Sequence, residues 1–120
     1  MYRLDLKIRL HNGSDIAIGP GKAELLAAIA EHGSISAAAR AMGMSYRRAW
    51  LLVETMNRSF KQPLVSTLAG GKHGGGTQLT ATGELVLQRY QALCAAALGA
   101  VQSGCDALAQ LLAEPTPPAL

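Results

Sequence analysis

Aromatic side chains are scarce in this chain of 120 residues, with one Trp, one Phe and three Tyr. Ala, Leu, Ile, Val and Met must therefore fill most of any core. Cysteine is scarcer still. Cys94 and Cys105 lie in what reads as one helix, eleven residues and about 16 Å apart. A disulfide needs Cα atoms within about 7 Å, so the spacing predicts buried, reduced thiols suited to a reducing cytoplasm and argues against a Cys-based zinc site. Long apolar runs are missing too. The opening MYRLDLKIRL alternates charged and apolar residues, unlike a signal peptide. No run approaches the roughly 20 apolar residues of a membrane span. The expectation is a soluble cytoplasmic protein with no membrane partner. Chemistry is thin as well. His11, His32 and His73 fall in separate turns without metal spacing, carboxylates form no pair, and no nucleophile has a credible base. The sequence reads as a non-enzyme that needs no cofactor and no metal.

What is present is a globular composition, 49% hydrophobic, of a length suited to one domain. The net charge of +3 says less than its distribution. Residues 1–39 balance at zero and residues 90–120 carry a net −2, whereas residues 40–89 carry a net +5. A basic middle points to a localised anionic partner, unless the charges are simply spread over a solvated surface.

The elements follow from periodicity. Tyr2, Leu4, Leu6, Ile8 and Leu10 alternate with Arg3, Asp5, Lys7 and Arg9, which predicts a half-buried strand. His11-Asn12-Gly13-Ser14 supplies a turn, and 15–18 can return as a second strand. Gly19-Pro20-Gly21 interrupts the chain before a helix over about 22–31 that ends at His32-Gly33. Ser34 or Ser36 can cap the next helix, which runs to about Met42. Its alanines favour helix and permit close approach of a neighbour. Gly43 fits a sharp turn and Ser45 is a natural N-cap for a helix reaching about Phe60. There Ala49, Val53, Met56 and Phe60 form the core stripe, with Trp50 beside it locking the helix against its predecessor. Residues 64–69 and 77–82 read as strands around the glycine loop Gly70–Gly76. Residues 81–113 read as helix, either continuous or broken near Gly99 and Gly104, and 115–120 as a flexible tail.

Helix, turn, basic helix and flexible hairpin, in that order, spell a winged helix-turn-helix. A helix entering the major groove presents its first turn to base edges, here Ser45, Tyr46, Arg47 and Arg48. Arginine can donate two parallel hydrogen bonds to guanine, so Arg47 is the prime base reader, with Arg48 and Tyr46 next. A capped surface helix with arginines in water would show the same pattern. Ser34, Ser36 and Arg40 surround the preceding helix, whose N-terminal amides can receive a phosphate, although the serines can equally be plain caps, Ser36 above all. Arg58 lies near the far end of the helix, placed for phosphate or solvent. In the loop GGKHGGG, Lys72 would meet phosphate and His73 phosphate or water. The loop is not a Walker A motif, which needs GxxxxGK followed by Ser or Thr and a helix.

With GSISAAARAMGMSYRRAW, ETMN and LVSTLAGGKHGGGTQLTATG in this order, the chain resembles the DNA-binding domain of the ModE family of molybdate-responsive bacterial regulators, over essentially residues 1–113. The resemblance implies an α+β winged helix-turn-helix, with an N-terminal β-hairpin and a long C-terminal dimerisation helix. It divides the chain into a DNA-binding region over 1–80, a helical dimerisation region over 81–113 and a flexible tail over 114–120. It implies a homodimer on double-stranded DNA, with Ser45, Tyr46, Arg47 and Arg48 in the recognition helix and Lys72 and His73 in the wing. The oxyanion-binding domains of the full-length regulators have no counterpart here, so direct molybdate binding by this chain is not expected. Two other readings stay open: a protein-interaction module on the same scaffold, and a DNA-binding protein without sequence preference.

Overall fold

A computed structural model describes residues 2–67 and 76–118. A hairpin of β1 (Leu10–Asn12) and β2 (Asp15–Ile18) leads into α1 (Pro20–His32), α2 (Ile35–Met42) and α3 (Tyr46–Ser59). A second hairpin, β3 (Val65–Thr67) and β4 (Thr77–Leu79), then leads into α4 (Ala81–Ala109). Both hairpins are antiparallel. The architecture is the expected α+β winged helix-turn-helix.

Leu25, Leu26, Ile29, Met56 and Leu64 are its largest fully buried side chains. Ala38, Ala39 and Ala49 are buried where α2 meets α3; their small side chains let the two backbones approach. The turns are set by glycine. Gly33 ends α1 and Gly43 ends α2, at φ 76° and 69°, a left-handed conformation that costs any residue with a Cβ. Pro20, read as part of a chain break, instead opens α1, where its missing N–H has no helical partner to lose.

The N-terminal strand is shorter than its alternation suggests. Only Leu10–Asn12 pair, with a register irregularity between Leu10 and His11, because β2 has four residues before the chain turns into α1. Residues 2–9 belong to no strand or helix. The alternation survives in burial only in part: Tyr2, Leu4 and Ile8 are partly buried and Arg3, Asp5, Lys7 and Arg9 are exposed, but Leu6 and Leu10 are exposed too. Tyr90 of α4 donates to the Ile8 carbonyl (2.7 Å). Further along, the Tyr2 hydroxyl donates to Asp106 (2.5 Å) and accepts from Gln102 (2.9 Å).

The helix α4 is continuous through Gly99 and Gly104 and about 43 Å long. Cys94 and Cys105 are free thiols, partly rather than fully buried. By length and composition α4 is apolar enough to cross a membrane, with a mean hydropathy of 1.4 over 18 residues. The average is raised by alanine, and the helix still holds no continuous run of the roughly 20 apolar residues of a span. The helix nonetheless packs Val86, Leu87, Tyr90 and Cys94 against the domain core and carries the polar Tyr2–Gln102–Asp106 cluster.

The start of α4 is fixed tightly. Thr80 caps it by accepting from the Gly83 N–H (3.0 Å), and its own hydroxyl donates to the Pro63 carbonyl (2.7 Å). Thr80 N–H donates to the Leu64 carbonyl (2.9 Å). Gly83 is buried, and a Cβ on it would overlap the Leu64 carbonyl oxygen. The strand expected over 77–82 therefore stops at Leu79 so that Thr80 can cap the helix.

Candidate nucleic-acid interface

Ser45 starts α3 by accepting a hydrogen bond from the Arg48 N–H (3.1 Å), one of the amides a helix leaves unpaired at its start. Ala49, Val53 and Met56 are buried and define the inner face. At 100° per residue, Arg47 stands almost opposite them, on a ridge with Leu51, Glu54 and Arg58. Tyr46 and Trp50 occupy one flank of this ridge, and Arg48 and Leu52 the other. Ser45, Tyr46, Arg47 and Arg48 are all exposed, and among the described residues neither arginine forms an ion pair. The first turn of α3 thus offers two unpaired guanidinium groups and a phenol, anchored from behind by small apolar residues.

Trp50 departs from expectation. It is 46% exposed, so it does not lock α3 against α2. It lines a shallow cleft with Tyr46, Ser34, Ser36, Thr67 and Thr77, between the start of α2 and the root of the second hairpin. An exposed indole next to an arginine-bearing first turn is a candidate contact that helical spacing assigned to packing. No pattern in the sequence distinguishes the two, because Trp50 sits at the edge of the apolar stripe.

In α2 the cap is Ser34, whose hydroxyl accepts from the Ala37 N–H (3.0 Å). Ser36 is not a cap; it is exposed and shares a face with Arg40, one turn on. Arg40 is also exposed and free of ion pairs among the described residues. Arg58 is committed elsewhere. Its guanidinium makes two hydrogen bonds to the Asp15 carboxylate (3.1 and 3.3 Å) and holds that carboxyl below its ordinary range, tying the end of α3 to β2. The expectation of phosphate or solvent at Arg58 is corrected accordingly.

Asn57 makes three hydrogen bonds that were not legible in the sequence. Its carbonyl oxygen accepts from the Leu64 and Val65 N–H groups (2.8 and 3.1 Å), and its amide donates to the Val65 carbonyl (3.2 Å). On the other strand, Thr77 N–H donates to the Gly33 carbonyl (2.9 Å). The second hairpin is thereby pinned at its root to α3 and to the α1–α2 turn. Lys72 and His73, expected at its tip, lie outside the described residues.

Comparison with known proteins agrees with this geometry. Residues 21–84 match the family model described as bacterial regulatory helix-turn-helix protein, lysR family. The chain is 41% identical over 100 residues to the molybdenum transport protein ModE of Azotobacter vinelandii, covering 83% of this chain and 36% of that protein. It is 41% identical over 93 residues to the molybdenum-pterin-binding protein MopA of Rhodobacter capsulatus, covering 75% and 35%. With the DNA-binding transcriptional dual regulator ModE of Escherichia coli K12 the identity is 42% over 74 residues, covering 62% and 28%. The chain spans about a third of the length of these relatives. On the matched motif and the winged geometry together, the chain belongs to the bacterial regulatory helix-turn-helix proteins of the lysR family model, and over its matched region it is similar to the ModE proteins.

Proposed function

We propose that this chain is a sequence-specific DNA-binding transcription regulator that acts in the cytoplasm as a homodimer on a two-fold operator. The observation that carries the reading is the first turn of α3, where Arg47 projects directly away from the buried face and has no carboxylate partner among the described residues. Arg47 reads a base edge; Tyr46 and Arg48 flank it, and Ser45 fixes the helix start. Ser34, Ser36 and Arg40 meet the phosphate backbone at the start of α2, and Lys72 and His73 meet it from the wing. The exposed face of α4 supplies the second subunit's contact. Leu85 and Leu93 are about half exposed, and Ala92, Ala96 and Ala100 are exposed beside them, a stripe of small residues for helix pairing that also carries Arg89 between Leu85 and Leu93.

Selection from a random duplex library at about 0.15 M salt tests the reading, and recovery of an inverted repeat is the expected result. Arg47→Ala should lose about 1–3 kcal/mol of discrimination at one position per half-site. Lys72→Ala should weaken all duplexes alike and lower the salt slope by about 0.9 for each subunit bound. A folded protein that enriches no motif would overturn sequence reading, and one that binds no DNA at low salt would overturn the DNA interface altogether.

A further inference from the structure

A second basic surface lies on the opposite flank of α3 from the wing. Lys7, Arg9, Lys22 and Arg48 line one groove of about 320 Å³ over a floor that includes Met44 and Leu52. No carboxylate lines it, and the α1 first turn that borders it contains no acidic residue. The four cations come from three separate places: the N-terminal segment, the start of α1 and the first turn of α3. Each is positioned. Lys22 donates to the Ile16 carbonyl (2.5 Å), with its ammonium pKa lowered by partial burial. The Arg9 stem crosses Gly19, where an added Cβ would lie 3.2 Å from its Cγ. Lys7 and Arg9, two residues apart in an extended chain, are about 7 Å from each other, comparable to the separation of successive phosphates on one strand. Lys7, Arg9 and Arg48 have no ion pair among the described residues, whereas Arg3 of the same segment is paired with Asp5 (3.0 Å).

We infer that this groove is a second phosphate-binding track, which takes the sugar-phosphate backbone flanking each half-site on the side away from the wing. The inference rests on the DNA-binding reading above and extends it. Arg48 is the join, because it belongs both to the recognition helix and to the groove. A duplex seated on α3 therefore continues past Arg48 towards Lys22, Arg9 and Lys7. Contacts of this kind add affinity without sequence preference.

The test is equilibrium binding of the full chain to its selected operator between 0.05 and 0.3 M salt, with K7Q/R9Q as the variant and R3Q as the control for net charge. The expected result is a salt slope smaller by about 1.8 for each subunit bound, about 3.6 for the dimer on its operator. Affinity at 0.1 M salt should fall roughly tenfold on operator and scrambled duplex alike. The selected motif and the melting temperature should be unchanged, and R3Q should bind like the parent. Trimming the duplex back to the half-sites should erase the difference between K7Q/R9Q and the parent. An unchanged slope for K7Q/R9Q, equal losses for R3Q, or a penalty that persists on the trimmed duplex would each overturn the track while leaving the Arg47 reading standing. A parent protein that binds no DNA would remove both.

Discussion

Tyr90 shows how one side chain ties distant parts of this chain together. Its ring is buried in the core and its hydroxyl donates to the Ile8 carbonyl, 82 residues away in sequence. Burial, with the neighbouring Cys94 thiol, pushes the phenol up to about 12, against about 10 in an unfolded chain. The folded state therefore favours the neutral phenol. Its contribution is fully present below pH 10 and is lost as pH rises from about 10 through about 12. Tyr90→Phe should lower stability near neutral pH by about 1 kcal/mol through the lost hydrogen bond. It should also flatten the fall in melting temperature between pH 10 and 12, as followed by circular dichroism. An alkaline fall as steep as the parent's would show that Tyr90 does not control it. Trp50 teaches a different lesson at this scale. Helical spacing put it beside the core, and only the placement of α2 and the second hairpin leaves it open to solvent.

Among the elements, α3 is the most legible, because a cap, an apolar stripe and a basic first turn are all local signals. Ser45, Gly43 and the Ala49–Val53–Met56 stripe stand where their spacing puts them. The N-terminal segment was the least legible. Period-two alternation reports that a chain is extended and half-buried, not that it has a pairing partner, so residues 2–9 looked like a strand. The three bonds of Asn57 were also out of reach, since nothing local says that a helical asparagine will face a hairpin root. Gly83 is the element-scale counterpart. It reads as a poor helix former inside a helix, yet it is the point where α4 lies against the Leu64 backbone. Gly83→Ala should improve helix propensity by about 1 kcal/mol and still destabilise the protein by at least about 2 kcal/mol, because a backbone carbonyl must move. Gly99→Ala, with open space around its Cα, should stabilise instead. Chemical denaturation of the two variants side by side checks the pair; equal shifts of the same sign would refute the contact.

The whole molecule is extended for its size. Its radius of gyration is 18.1 Å, where a compact domain of this length would have about 14 Å. Its accessible surface of 8544 Å² exceeds by over 2,000 Å² the roughly 6,200 Å² expected of a compact monomer. The excess follows from α4, whose stripe of Leu85, Ala92, Leu93, Ala96 and Ala100 is open to solvent, and from residues 110–118, all of them exposed. Covering such a surface with a second copy is what the proposed dimer would do, and an interface of standard size requires no more area than this. Ala96→Arg places a good helix former at an exposed position in the middle of the outer stripe. It should leave a lone chain stable but weaken the dimer by a hundredfold or more, because a long side chain would hold apart helices that meet over alanine and add a second cation to the face that already carries Arg89. Sedimentation equilibrium reads the result directly: a mass near twice 12.5 kDa for the parent and near 12.5 kDa for the variant. A parent that sediments as a single chain would refute the pairing.

The seat of Gly83 on Leu64 has a bearing on how such a dimer would measure DNA. Because α4 starts in direct contact with the hairpin root, and that root is bolted to α3 through Asn57, the two reading heads are the jaws of a calliper with no joint between jaw and beam. The gap it accepts is then set by the helix pair rather than adjusted to each operator. A single base pair inserted between half-sites turns one of them by about 35° around the duplex, and a jointless calliper has no means of following it.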